Sequence, residues 1–205
     1  MNSLRRPFQI IRADLRAYLL VNVFVYGVLL LGMMLGALFP RLHAARSASF
    51  AGGGQGALVE AVVGNGWVFG AVIFLVNVFP TALLLITIPS LAVPFAGLAV
   101  FAVKTVDLGI TLAPVDAVSG LILIPHSLTL LVEFQAYALV MFGAYLLGRS
   151  WLWPATADAP TRRQGYVRGL SRLGWLWLPA LALFAVGAVY EAIEIYFLVP
   201  LVLGF

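Results

Sequence analysis

Apolar residues in this chain gather into long stretches with the polar residues confined to the gaps, and no strand-like alternation is sustained anywhere along it. A helix crossing a bilayer of about 30 Å hydrocarbon thickness needs roughly 20 such residues in a row. The first stretch, 18–39, follows Arg5, Arg6, Arg12 and Arg16 and exceeds the roughly 7–15 residues of a signal-peptide core, so it reads as a retained first helix. Small residues at Ser47, Ala48 and Ser49 keep a cleaved leader as the alternative. Ahead of it, Phe8, Ile10, Ile11 and Leu15 share one helical face and Arg12 and Arg16 another, the pattern of a helix lying in the membrane interface, with a frayed basic terminus as the plainer reading.

The segment from Pro40 to Gly66 contains Gly52-Gly53-Gly54-Gln55-Gly56 and is expected to be a loop ending in a short apolar piece, 57–63. From Trp67 to Val103 the chain is apolar for about twice the length of one crossing. Two spans are therefore predicted, 67–88 and 91–106, with Pro89, Ser90 and Pro94 marking the turn and Pro80 kinking the first of the pair. Lys104, Asp107, Pro114 and Asp116 then interrupt the apolar pattern. The remaining spans fall at 124–148 and 175–200, and 107–122 reads as a surface or re-entrant helix shielded from lipid. The fold class expected is all-α: one polytopic domain with five transmembrane helices.

Composition agrees with that pattern. Hydrophobic residues make up 63% of the chain and charged residues 10%, against roughly 45–50% and about 25% in soluble domains. Cysteine is absent, which excludes disulfides, thiolate nucleophiles and thiolate metal sites. The net charge of +4 carries little weight by itself, and no basic patch interleaved with stacking aromatics is present, so nucleic acid is not an expected partner.

Charge decides the number of crossings. With five, nine basic residues at the amino terminus and in the 149–173 connection share one side, and Arg41, Arg46 and Lys104 lie on the other. The positive-inside bias then places the amino terminus in the cytoplasm and the carboxyl terminus outside. Making 107–122 a further crossing would reverse the ratio. Trp151, Trp153, Trp175 and Trp177 flank the same basic connection as an aromatic belt would, with Trp67 at the outer face.

Ionisable groups within the spans are few: His126, Glu133, Glu191 and Glu194, together with the polar Asn77. Each charge at bilayer depth costs at least about 2.5–3.5 kcal/mol, so such residues are functional candidates by default. His126 and Glu133 lie two turns apart on one face, about 10 Å from each other and too far for a direct pair. Glu191 and Glu194 share a face and could point across at His126 or Ser127. These groups, with Asn22, Thr129 and Gln135, are either hydrogen-bonding glue between helices or a path for protons, ions or lipid headgroups.

A zinc hydrolase needs about three ligands and a base, and His43 and His126 are the chain's two histidines. A Ser-His pair is not signalled either, because Ser127 points about 100° away from His126 on a helix. No enzyme, metal or cofactor is expected. Gly32-x-x-x-Gly36 and Gly66-x-x-x-Gly70 fit a close-packing motif, although glycine is common enough in membrane helices for chance to produce it. Arg162, Arg163, Arg168 and Arg172 form the candidate site for anionic headgroups, with Tyr166, Leu170 and Leu173 opposite the last two.

Residues 72–194 resemble the stage II sporulation protein M family of integral membrane proteins. The resemblance lies in Phe74-Leu75-Val76-Asn77, the turn through Pro94 and Gly97, Pro125-His126-Ser127, Glu133-Phe134-Gln135-Ala136, and Ala188-Val189-Tyr190-Glu191-Ala192. The family pattern has glycine where Ser127 stands, with its glutamate about one turn earlier than Glu133. The resemblance implies a non-catalytic membrane anchor that organises a protein complex. The alternative, favoured by the surplus of buried carboxylates, is a small channel, permease subunit or lipid-moving transporter using His126, Glu133 and Glu191 as a polar path. The partners expected are membrane lipids, other membrane proteins and a second copy of the chain.

Overall fold

The computed structural model describes residues 5–204, apart from the side chains at positions 55, 56, 59 and 60. All regular structure among these residues is helical. A short helix α1 (Arg6–Ala13) breaks at Asp14 and leads into α2 (Leu15–Leu38). Next come α3 (Pro40–Ala51) and α4 (Gly54–Val62). The rest of the bundle consists of α5 (Gly66–Ala92), α6 (Ala96–Thr111), α7 (Ala117–Leu152) and α8 (Arg162–Leu203). Among the described residues, α2, α5, α7 and α8 are the four helices long and apolar enough to cross a membrane.

Their outer faces carry exposed large apolar side chains, such as Leu20, Val23 and Leu30 on α2 and Val186, Val189 and Phe197 on α8. A surface so continuously apolar is stable where lipid is the solvent. The centre of the bundle is α7. It is buried on every side from Phe134 to Leu147 apart from the half-buried Gln135 and Tyr145, as expected of a helix apolar all round. It runs antiparallel to α8, with Ser150 against Gly165, Gly143 against Leu173 and Glu133 against Gly187.

The segment expected to be a loop, 40–66, is instead two helices. Pro40 sits in the first turn of α3, where its missing N–H is not needed, and the following Ala, Arg and Leu residues are strong helix formers. The glycines only punctuate, ending α3 at Gly52. Asn65 then caps α5, its side chain accepting from the N–H groups of Trp67 at 3.1 Å and Val68 at 3.3 Å.

Pro80 does not produce a simple kink. It lies in a π-helical stretch of α5, Asn77–Thr87, whose wider turn takes up the missing hydrogen bond. The Val76 carbonyl that an N–H at position 80 would have engaged accepts instead from the Thr81 hydroxyl at 3.1 Å. The turn between α5 and α6 falls at 93–95, slightly later than Pro89 and Ser90 suggested. Phe95 there takes a left-handed conformation, φ 65°, and its ring packs beside Tyr145 and Trp153. Gly97 follows because a Cβ at that position would lie 1.9 Å from the Ile86 carbonyl oxygen.

The expectation of a separate surface or re-entrant helix over 107–122 is corrected. Residues 107–111 end α6, 112–116 form a connection, and α7 begins at Ala117. Asp116 and Ser119 form a reciprocal cap there, with Ser119 N donating to Asp116 Oδ1 at 2.8 Å and Asp116 N to Ser119 Oγ at 3.1 Å. Pro125 is accommodated inside the 36-residue α7 rather than starting a new helix. Likewise 162–173 is not a separate connection but the first turns of α8, capped by Thr161 and pressed onto α7 through Gly165 and Gly169.

Helix α6 has 16 residues, about 24 Å of rise, and is not among the four long helices. Gly32 of α2 meets Val106 and Gly109, and Gly36 meets Ile110 and Ala113, so α2 and α6 run in the same direction at backbone contact. The Gly32-x-x-x-Gly36 spacing is therefore a packing seam. Arg46 of α3 pairs with Asp107 of α6 at 3.2 Å and ties α3 across its end.

Candidate functional site

The polar side chains predicted to lie within the spans converge where α5, α6, α7 and α8 meet. On α7, His126, Thr129, Glu133 and Tyr137 follow one another at spacings of three and four, so they form a single polar face. Asn77 faces it from the start of the π-helical stretch of α5, and Glu191 and Glu194 face it from α8.

The face divides into two hydrogen-bonded groups. In one, Asn77 Nδ2 donates to Glu133 Oε1 at 2.5 Å, while the Tyr137 hydroxyl donates to Asn77 Oδ1 at 2.7 Å. Glu133 is only 8% exposed and lies on Gly187 of α8, where any side chain would occupy its place. In the other, His126 Nδ1 is 2.9 Å from Glu194 Oε1, and the Thr129 hydroxyl donates to Glu194 Oε2. Glu194 is fully buried, which is sustainable because both of its oxygens are engaged. Tyr190 closes this end, its hydroxyl donating to the Pro125 carbonyl at 3.2 Å.

Glu133, Glu191, His126 and Asn77 all line a cavity of about 250 Å³. Its walls come mainly from α5, α6 and α7, with Phe50 of α3 and Leu58 of α4 also facing it. Helix α6 contributes Lys104 and Thr105. Thr105 is 2% exposed, and its hydroxyl has no hydrogen-bond partner among the described residues. Beside Glu133 the wall is aromatic: Phe101, Phe134 and Tyr137 cluster with ring centroids 4.9 to 6.3 Å apart. The cavity thus combines two carboxylates, an imidazole, an ammonium, an unengaged hydroxyl and π faces, enough to bind a small polar solute.

Among the described residues no group of three or more His, Asp or Glu side chains is arranged to hold a metal ion. The reach from Glu194 to His126 is the one that the spacing of Glu191 and Glu194 suggested, and His126 and Glu133 do not pair. Thr105 was missed, since a threonine inside an apolar run gives no signal unless its neighbour Lys104 is read as facing inward.

The arginines expected to hold headgroups lie at the opposite end of the bundle. Arg162 and Arg163 are exposed on the first turn of α8. Arg168 donates to the Ala157 carbonyl at 2.6 Å, and Arg172 stands 3.9 Å from Asp14. Asp14 itself pairs with Arg149 at 2.6 Å, joining the α1–α2 break to the end of α7. Arg6, Asp158, Arg168 and Arg172 border a shallow pocket of about 440 Å³ between α1 and α8, so this surface carries both signs of charge.

Among the described residues outside the spanning helices, the acidity of Asp116 at the head of α7 is displaced. The Ser119 backbone N–H, reinforced by the Ser119 hydroxyl, holds its carboxyl below the usual range. The chain matches no family model, no curated protein and no solved structure.

Proposed function

We propose that this chain is a small transport-type protein of a bacterial or archaeal inner membrane, with the cavity beside Glu133 as its solute chamber. The observation carrying this reading is that a roughly 250 Å³ cavity reaches Glu133, Glu191 and His126 at the centre of the apolar bundle. A purely structural cluster would be dry and fully paired, as Glu194 is. Thr105 instead keeps a hydroxyl on the cavity wall that is unengaged among the described residues, a group that stays buried at a cost unless something polar visits it.

The chamber belongs to a five-crossing bundle in this reading. Helix α6 runs parallel to α2 and packs by Phe101 against Phe134 and Tyr137 of α7, which lets it carry the chain across despite its length. About 24 Å of helix is short of about 30 Å of hydrocarbon, but α6 packs against α2, α5 and α7, and the large side chains it leaves exposed, Val100 and Val103, are apolar. The basic ends at Arg5 to Arg16 and Arg149 to Arg172 are then cytoplasmic and the carboxyl terminus is outside.

A second reading, the non-catalytic anchor implied by the sporulation protein M resemblance, draws on a different feature. Between α5 and α8 runs an apolar groove of about 700 Å³ floored by Gly70, Ala188 and Ala192, where a partner helix could approach closely.

The absence of cysteine makes a direct test simple. A Leu108→Cys protein carries a single thiol on the cavity wall. The chamber reading expects a membrane-impermeant thiol reagent to modify it in intact vesicles, whereas failure to react from either side of the membrane overturns that reading.

A further inference from the structure

We infer that the chamber binds a small organic ammonium ion, R–NH3⁺, whose charge is met by Glu133 and Glu191 and whose apolar part rests on the Phe101, Phe134 and Tyr137 rings. This rests on the chamber reading above and names its ligand class. The charged groups facing the cavity among the described residues are Lys104 from α6, His126 and Glu133 from α7, and Glu191 from α8. His126 is matched by Glu194 across the 2.9 Å contact. Two carboxyl groups then face one ammonium, and a bound cation beside them interacts strongly with both in low dielectric.

Hydrogen bonding makes the choice narrower. A primary ammonium has three donors and no acceptor. Among the described residues the wall offers three acceptors without a donor committed to them: the second carboxylate oxygen of Glu133, the carboxylate of Glu191 and the hydroxyl oxygen of Thr105. A carboxylate ligand would instead stand beside the carboxyl groups of Glu133 and Glu191. The triangular aromatic cluster is the other half of the site, since ring faces attract cations and cover hydrocarbon equally well. The cavity volume suits a ligand of a few heavy atoms rather than a lipid.

The native protein in lipid nanodiscs is titrated calorimetrically with butylammonium, butanol and butyrate, three solutes of one size and different charge. Butylammonium is expected to bind at least about tenfold more tightly than either of the others. The Glu133→Gln and Glu191→Gln proteins should each lose about tenfold or more in butylammonium affinity while retaining the native melting temperature to within a few degrees. Butylammonium should also slow thiol labelling of Leu108→Cys, and butanol should not. If Leu108→Cys reacts with the thiol reagent but butylammonium neither binds nor protects, the ligand assignment is overturned and the chamber stands. Preferential binding of butyrate overturns it equally, and a Leu108 thiol that never reacts removes the chamber itself.

Discussion

Glu133 of α7 rests directly on Gly187 of α8: a Cβ placed on that glycine would come within 2.7 Å of Glu133 Cγ. The absent side chain on one helix is what admits a buried carboxylate on the other. Glu133 is then held in line with Asn77 and the cavity rather than turned away.

Gly187→Ala is therefore expected to destabilise the protein by overpacking, by about 1–3 kcal/mol, and to displace Glu133 from Asn77. Thermal unfolding followed by tryptophan fluorescence in detergent measures it. Much of the loss should vanish when Glu133→Ala is already present, because the displaced group is then gone. Additive losses in the double variant would mean that Gly187 serves some other contact.

Glu194 tests the second hydrogen-bonded group. Removing it in Glu194→Ala leaves the His126 ring and the Thr129 hydroxyl facing each other without their shared partner, an expected loss of about 3–5 kcal/mol. Glu194→Gln retains an acceptor and a donor at the same place and should cost clearly less. Equal and small losses for the two substitutions would show that the buried carboxylate is not what joins α7 to α8 there.

Asp116 gives a pH dependence of definite sign. Its carboxyl is held below the ordinary value by the folded cap, so the unfolded chain takes up its proton first. The cap's contribution is whole above the ordinary aspartate value of about 3.9 and disappears as the pH falls through the lower folded value. Amide exchange at Val118 and Ser119 should accelerate only in that acid range. Asp116→Asn, which caps without titrating, should remove the acceleration, and a pH response unchanged in that variant would disprove the assignment.

Much of this architecture can be read from the residues because lipid imposes a single, simple demand. Long apolar runs must become helices, and the runs that became α2, α5, α7 and α8 are visible by length alone. The helix ends were harder to read, since Pro125 and the glycines at 165 and 169 look like breakers in isolation. They are accommodated because the facing helix supplies the packing, as where Gly169 admits Leu147 and Ser150 of α7. The helices at 40–51 and 54–62 were obscured by a few glycines that mark only their ends. Within the site, Glu194 could be anticipated from helical spacing, because charge inside an apolar run stands out. Thr105 could not, because its significance lies in a missing partner, and that is a property of the assembled bundle.

Everything proposed for the chamber requires α6 to cross, since Phe101, Lys104 and Thr105 line the cavity from that helix. Val93 precedes α6 at 56% exposure and Val115 follows it at 39%, so each can carry a reporter thiol. Side-specific labelling of Val93→Cys and Val115→Cys in right-side-out vesicles decides the matter. An impermeant reagent is expected to reach the thiol at 115 immediately and the thiol at 93 only after the membrane is opened; finding both on the same side would contradict a crossing α6.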